Sequence, residues 1–270
     1  MAPPKFVALL GSVEVTSANN TVIINEGASD LTATIASGTY YLKGDGSADD
    51  LAQAIEDALN AAGAFTYVVA LEYTTDPTLS GKTASNVVIS TSPANTFALK
   101  WGAGLFDGEL LGYAGTNLSG ATSYTAPSSA QLSWVSTEPV HSREPDPESD
   151  VAQHVTPDGQ TYTFRSGGPR TRRTITFSVV DERRVLKERN TADEAETYEK
   201  WWERYQLGYP LQVHLVAESS AGYLSGPSSS TLLETMVLDE ESCKAIVGKQ
   251  RREDGQAYYS WRVGLRGYVS

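Results

Sequence analysis

The sequence predicts a mainly β chain with two helices, an α+β arrangement of two β-sandwich-like modules, each flanked by one helix. Three observations carry this expectation. Val, Thr, Tyr and Ser are prominent, which suits pleated, half-buried surfaces. The 23 Gly and 12 Pro supply many turns. The order of elements repeats: strand, amphipathic helix, then several strands, run through twice without sequence identity between the passes. At 270 residues the chain holds one large or two modest domains.

The first module is expected over residues 1–136. Ser12–Thr16 and Thr21–Asn25 alternate apolar and polar residues and read as a hairpin joined through Asn19 and Asn20. Glu26-Gly27 makes a turn, and Leu31, Ala33 and Ile35 continue the alternation towards a strand that closes at Tyr40-Tyr41-Leu42. Ser47 is the expected N-cap of a helix over 49–62, with Asp49 and Asp50 in its first turn, where the helix dipole favours carboxylates. Leu51, Ile55 and Leu59 form its apolar stripe, and Gly63 stops it. Strands follow near Phe65–Tyr73, Asn86–Ser90 and Thr96–Trp101. Gly102–Gly115 reads as a short helical turn and loop, Thr116–Ser129 as a polar stretch, and Leu132–Val135 as a last strand.

Residues 137–160 carry four Pro and a run of charges, so they read as a linker, or as an extended arm that lies on a neighbouring subunit. The second module is expected over 161–270. It opens with Tyr162–Arg165 and the strand Thr174–Val180. Thr191 and Glu194 form a capping box for a helix over 192–207, whose Tyr198, Trp201, Trp202 and Tyr205 make an aromatic face that reads as core. Gly208 and Pro210 end that helix, and strands follow at Leu211–Ala217, Glu234–Leu238 and Ala257–Val269.

The net charge of −12 is uneven. Residues 1–140 hold 4 Lys, no Arg and 13 Asp and Glu, whereas residues 141–270 hold 17 Lys and Arg against 20 Asp and Glu. An acidic balance argues against a protein that grips phosphates, but does not exclude a surface past which nucleic acid slides. Arg170, Arg172, Arg173, Arg183 and Arg184 form the strongest basic cluster and are the expected inter-subunit contacts, paired with the acidic first module or the acidic 137–160 segment.

The chemistry-bearing motifs are weak. His141, His154 and His214 lack metal-ligand spacing, and no cofactor or metal is expected. Gly44-Asp45-Gly46 with Asp49 and Asp50 has the composition of a calcium loop but not its order or its twelfth-position Glu. No GxGxxG, GxSxG or GxxxxGK[ST] occurs. The lone Cys243 excludes an internal disulfide and reads as a small apolar residue. The apolar run Phe6–Leu10 is too short for a signal peptide, and nothing approaches the roughly 18–20 apolar residues of a membrane span. The expectation is a non-enzymatic chain made in the cytoplasm, with no membrane partner.

Two stretches are similar to bacteriophage tail structural proteins of the tail-tube, distal-tail and baseplate kind. One is Asp50–Asn60 with its following strands and Glu109-Leu110-Leu111-Gly112-Tyr113. The other is Arg172–Phe177, Glu199–Glu203, Gly208–Val213 and the closing Tyr259–Tyr268. The resemblance implies a virion protein that forms or caps a ring-shaped tail tube or tail tip by self-association. Three copies would give pseudo-sixfold symmetry, with other tail proteins as partners and DNA only in transit. A tube would turn acids such as Glu14, Glu72 and Asp76 towards its channel. A capsid decoration protein or a receptor-binding fibre or adaptor is the alternative.

Overall fold

The computed structural model describes residues 5–72, 86–127, 130–135, 141–142, 146–148, 151–155, 161–165, 170–181, 209–217, 226, 232–238, 244–251 and 257–267. Over these the chain is mainly antiparallel β, with one α-helix among the described residues. The first strands are β1 (Lys5–Val15), β2 (Thr21–Asn25), β3 (Asp30–Thr34) and β4 (Gly38–Tyr41), followed by the helix α1 (Leu51–Ala62). Then come β5 (Tyr67–Glu72), β6 (Asn86–Thr91), β7 (Phe97–Lys100), β8 (Asn117–Ala121), β9 (Ser123–Thr125) and β10 (Ser133–Val135). The remainder are β11 (His141–Ser142), β12 (Asp146–Glu148), β13 (Val151–Val155), β14 (Thr161–Arg165), β15 (Arg170–Asp181), β16 (Leu211–Ala217), β17 (Leu232–Leu238), β18 (Lys244–Arg251) and β19 (Ala257–Gly267).

Strands β3-β2-β7-β8 form a four-stranded sheet and β5-β6-β9 a three-stranded one. They meet through a shared core in which Tyr67 and Tyr124 both set their rings edge-on to Phe97, with centroids 5.3 and 4.9 Å away. A ten-stranded sheet runs β10-β1-β16-β17-β19-β15-β11, with β12, β18 and β4 attached to its members. Strand β1 joins the two regions. Its Lys5–Gly11 half pairs with β16, and its Ser12–Val15 half pairs with β4. The fully buried Leu9 of β1 therefore shares one core with Ile24 of β2 and Val213 of β16.

Several expectations are corrected here. The hairpin of Ser12–Thr16 with Thr21–Asn25 does not form: β1 pairs with β4, β10 and β16, and β2 with β3 and β7. Asn19 closes the connection locally, accepting from the Thr16 amide at 2.7 Å and donating to the Glu14 carbonyl at 3.0 Å, so the chain turns into another sheet. The true hairpin is β2–β3, turned at Glu26-Gly27. The single strand expected to close at Leu42 is two, because β3 stays with β2 while β4 crosses to β1. Helix α1 starts after Asp50, whose side chain accepts from the Ala52 amide; Asp50, not Ser47, is the N-cap, and neither Asp49 nor Asp50 lies in the first turn. Gly63 is the C-cap as expected.

The polar 116–129 stretch contains β8 and β9, and β18 lies where no strand was expected. Residues 137–160, expected as a linker or an extended arm, contain β11, β12 and β13 among the described residues. Pro147 lies opposite Thr171 within the short β12, a placement that a residue without an amide donor tolerates at a sheet margin. The helix over 192–207, with Trp201 and Trp202, lies outside the described residues.

Candidate functional site

The most connected buried polar cluster lies where the loop 43–50 meets β16. Gly44 and Gly46 take positive φ values of 69° and 71°, which bend the loop so that its amides converge. They converge on Asp50, which is 1% exposed. Its Oδ1 accepts from the amides of Lys43 (3.1 Å), Gly44 (3.0 Å) and Ala52 (3.1 Å), and its Oδ2 from Gly46 (3.0 Å). One carboxylate thus folds the loop and starts the helix.

Asp49 extends the cluster outward. It forms an ion pair with the buried Lys43, accepts from the Ser47 hydroxyl at 2.9 Å, and accepts from Gln212 Nε2 at 3.2 Å. Burial raises the Asp49 carboxyl; the hydrogen bonds from Lys43 and Ser47 and the Lys43 charge outweigh it and leave the group below its ordinary value. Because Gln212 gives its amide N–H to Asp49, its Oε1 faces the buried His214, 3.0 Å from Nε2. An amide oxygen only accepts, so His214 donates through Nε2. The chain Lys43–Asp49–Gln212–His214 ties the loop to β16. The Asp50 carboxylate, engaged by four backbone donors, anchors the loop to the start of the helix.

A second staple sits at the other end of α1. Glu26, from the β2–β3 turn, accepts from the amides of Ala64 and Phe65, both at 3.0 Å, and from the Tyr67 hydroxyl at 3.1 Å. A Cβ on Gly63 would stand 2.3 Å from Glu26 Oε1, so only glycine leaves room for this approach. Burial raises the Glu26 carboxyl, and the three donors outweigh it and leave it below its ordinary value. Burial first, and then the Glu26 contact, push the Tyr67 phenol well above its ordinary value.

A pH prediction follows from these two carboxylates. Each has its folded-state value lowered, so its contribution is present above the unfolded value and is lost as pH falls through the folded one. Melting temperature should therefore drop on acidification, and Glu26→Gln should flatten the acid limb while costing about 1 kcal/mol at neutral pH. Thermal melts of both proteins from pH 7 to pH 3 check this. Parallel acid limbs would remove Glu26 from the account.

Helix α1 also seals a sheet edge. Asn60 accepts from the Tyr67 amide at 2.7 Å and donates to its carbonyl at 3.1 Å, and Glu56 accepts from the Val69 amide at 2.9 Å. The outer edge of β5 is thereby occupied by helix side chains, which blocks edge-to-edge pairing.

The residues singled out in the sequence are not gathered into one site. Glu14 is exposed on β1, Glu72 is half-buried at the end of β5, and Asp76 lies outside the described residues. Arg170 and Arg172 on β15 sit in register opposite Glu148 and Asp146 of β12, and Arg173 opposite Leu265 of β19. The acids across from the first two arginines come from this chain's own 137–160 segment. Arg183 and Arg184 lie outside the described residues. His141 lies opposite Thr176, while His154 is on β13 and His214 is buried in the polar chain, so the three histidines belong to separate strands.

The sequence reading missed Lys43, Asp49 and Gln212 as a unit. A signal was there: Lys43 is one of only four lysines in the first 140 residues, and it directly precedes Asp45, Asp49 and Asp50. Among the described residues, no group of three or more His, Cys, Asp or Glu is placed to hold a metal ion, and no helix is long and apolar enough to cross a membrane. No protein-family model matches the chain, and no curated protein matches it.

Proposed function

We propose that the chain is a non-enzymatic structural component of a bacteriophage tail that self-associates to form or cap a ring-shaped tube or tail tip. In this reading 1–136 and 161–270 are two β-sandwich-like modules, each with one helix, and three copies close a pseudo-sixfold ring. Other tail proteins contact the ring and DNA passes through it without specific binding. The virion is its place of work.

The observation that carries the reading is the ribbon β13–β14. Its two strands pair in register from Val151 with Arg165 to Val155 with Thr161, and with no other strand among the described residues. A lone two-stranded ribbon is marginal in water and offers two open edges. It becomes stable by docking, and a repeated chain offers another copy of itself as the surface. The preceding β11 and β12 run along β15, so the ribbon is carried on a segment already anchored to the large sheet.

Replacing residues 151–165 with a short Gly/Ser linker tests this. Expected are loss of the assembled form in negative-stain images and in light scattering, with a thermal melt close to that of the parent chain. Normal assembly without the ribbon, or a parent chain that stays monomeric at high concentration, would sink the reading.

A further inference from the structure

The large sheet sets like charges side by side on one face. Leu265 of β19 is fully buried in the core, whereas Arg266 and, across from it, Val237 of β17 lie half-buried on the opposite face. Register places Arg266 between Val237 and Arg172 of β15, and Arg262 between Thr176 of β15 and Lys244 of β18. Alternate positions along a strand lie on the same face, so both rows belong to it, one on each side of the low pair Thr174–Gly264. Like charges directly opposite on neighbouring strands repel. This face carries two such pairs, Arg172 with Arg266 and Arg262 with Lys244. Its acids stand elsewhere: Asp146 and Glu148 are opposite Arg172 and Arg170, and Asp181 is opposite Tyr258 beyond the bulge. The row of Arg262 and Lys244 ends on His141 and, among the described residues, holds no acid.

The first half of the chain has the complementary charge, with 4 Lys and no Arg against 13 Asp and Glu in residues 1–140. One turn there presents acids beside an exposed apolar residue. Leu105 is 56% exposed, and Asp107 and Glu109, which follow it, are exposed as well. The turn is firmly seated. The Leu105 and Phe106 amides both donate to the Thr21 carbonyl at 2.9 Å, and Phe106 is buried beneath it. A Cβ on Gly104 would stand 2.5 Å from that carbonyl oxygen, so glycine permits the close approach. The nearby Lys100 is held by Asp30 at 2.6 Å and does not neutralise the turn. A rigid apolar anchor beside charged groups is what a specific contact uses.

We propose that the turn 105–109 of one copy docks on the Arg262–Lys244 and Arg172–Arg266 rows of the next, with Leu105 over the low Thr174–Gly264 pair and its acids towards the cations. The inference rests on the self-association reading above and names one contact of that assembly. Two different surfaces meet, so the contact is head-to-tail, the kind that closes a three-copy ring. Charge selects the occupant: a chain of net charge −12 repels nucleic acid as a whole, whereas its own first half carries fixed carboxylates.

Lys244→Glu, Glu109→Lys and the chain carrying both changes form the test. Lys244→Glu puts an acid opposite Arg262, so this variant should melt at or above the parent temperature while associating about tenfold more weakly in sedimentation velocity. Glu109→Lys should weaken association by a similar factor, and the combined chain should recover most of the loss. Asp57→Lys, at an exposed acid of α1, changes the net charge equally and should associate like the parent; a loss equal to that of Glu109→Lys overturns the role of the turn. Unchanged association of Lys244→Glu overturns the inference and leaves the self-association reading standing. So does a loss that the combined chain fails to restore. If Lys244→Glu assembles normally but loses a salt-sensitive binding of duplex DNA that the parent shows, the inference is overturned and the cations serve phosphates. A parent chain that is monomeric throughout overturns the self-association reading itself, and this contact with it.

Discussion

Asp50→Ala is expected to destabilise the fold by about 3–5 kcal/mol and to lower the melting temperature by roughly 10 °C. The substitution removes the acceptor of four backbone amides at a site that is 1% exposed. Three of those donors belong to the loop 43–46, whose path runs through two positive-φ glycines. The fourth is the first turn of α1, where cap loss alone costs about 1 kcal/mol. Asp50→Asn isolates the charge and the geometry. Its oxygen can still serve the donors on one side, but its NH2 then faces the Gly46 amide, donor against donor, so an intermediate loss of about 2 kcal/mol is expected. Chemical denaturation of both variants measures the series. If Asp50→Ala melts like the parent, the loop is held by something other than its carboxylate. The effect reaches β16, because a loosened loop no longer presents Asp49 to Gln212.

What the sequence discloses depends on whether one face or two faces of an element are buried. In β2 and β5 the inward residues Val22, Ile24, Tyr67 and Val69 alternate with polar or half-exposed ones, and period two is legible. In α1 the buried Leu51, Ile55 and Leu59 repeat every four residues. Strand β1 changes pattern along its length. Ala8, Leu9 and Leu10 are all fully buried, since one face packs on the main core and the other on Tyr41 and Val216. After Gly11 it alternates Val13, exposed Glu14 and Val15. The switch from run to alternation marks the handover between sheets, but it does not name the partner strand. Strands β8 and β9 were opaque because they are short and mostly exposed: Tyr124 is the one residue of the two that is buried. The choice of Asp50 over Ser47 as N-cap was equally hidden, since both are good caps, and only the loop amides gathered around Asp50 decide between them. The polar chain to Gln212 and His214 depends on a contact across 163 residues, which no local pattern reports.

The Leu-Leu-Gly-Tyr turn at 110–113 was visible as a motif, and its role gives the second large effect. Tyr113→Ala is expected to cost about 4 kcal/mol. Gly112, at φ 87°, ends the short helical turn Gly108–Leu111 and turns the chain so that the next residue points inward. Tyr113 is 1% exposed and stacks on Trp101, with centroids 5.1 Å apart and planes 28° from parallel. Its hydroxyl lies 3.1 Å from the Val87 carbonyl of β6 and 2.9 Å from the Tyr124 carbonyl of β9, so one phenol braces two neighbouring strands. Burial pushes that phenol well above its ordinary value, which keeps the O–H donor in place across the accessible pH range. Tyr113→Phe keeps the ring and loses the donor; Val87 still receives the Ala126 amide, so about 1–2 kcal/mol is expected. Trp101 behaves differently. Its indole N–H is buried without an acceptor, so Trp101→Phe gives up stacking area but relieves an unpaired donor, and should cost less than Tyr113→Ala. Gly108 completes the packing: a Cβ there would stand 2.6 Å from the Trp101 ring, so Gly108→Ala must displace the indole and should cost about 2–3 kcal/mol. Melts of the four variants rank these terms. Should Tyr113→Ala prove no worse than Tyr113→Phe, the ring contributes nothing beyond its hydroxyl, and the bracing of β6 and β9 is a hydrogen-bond effect alone.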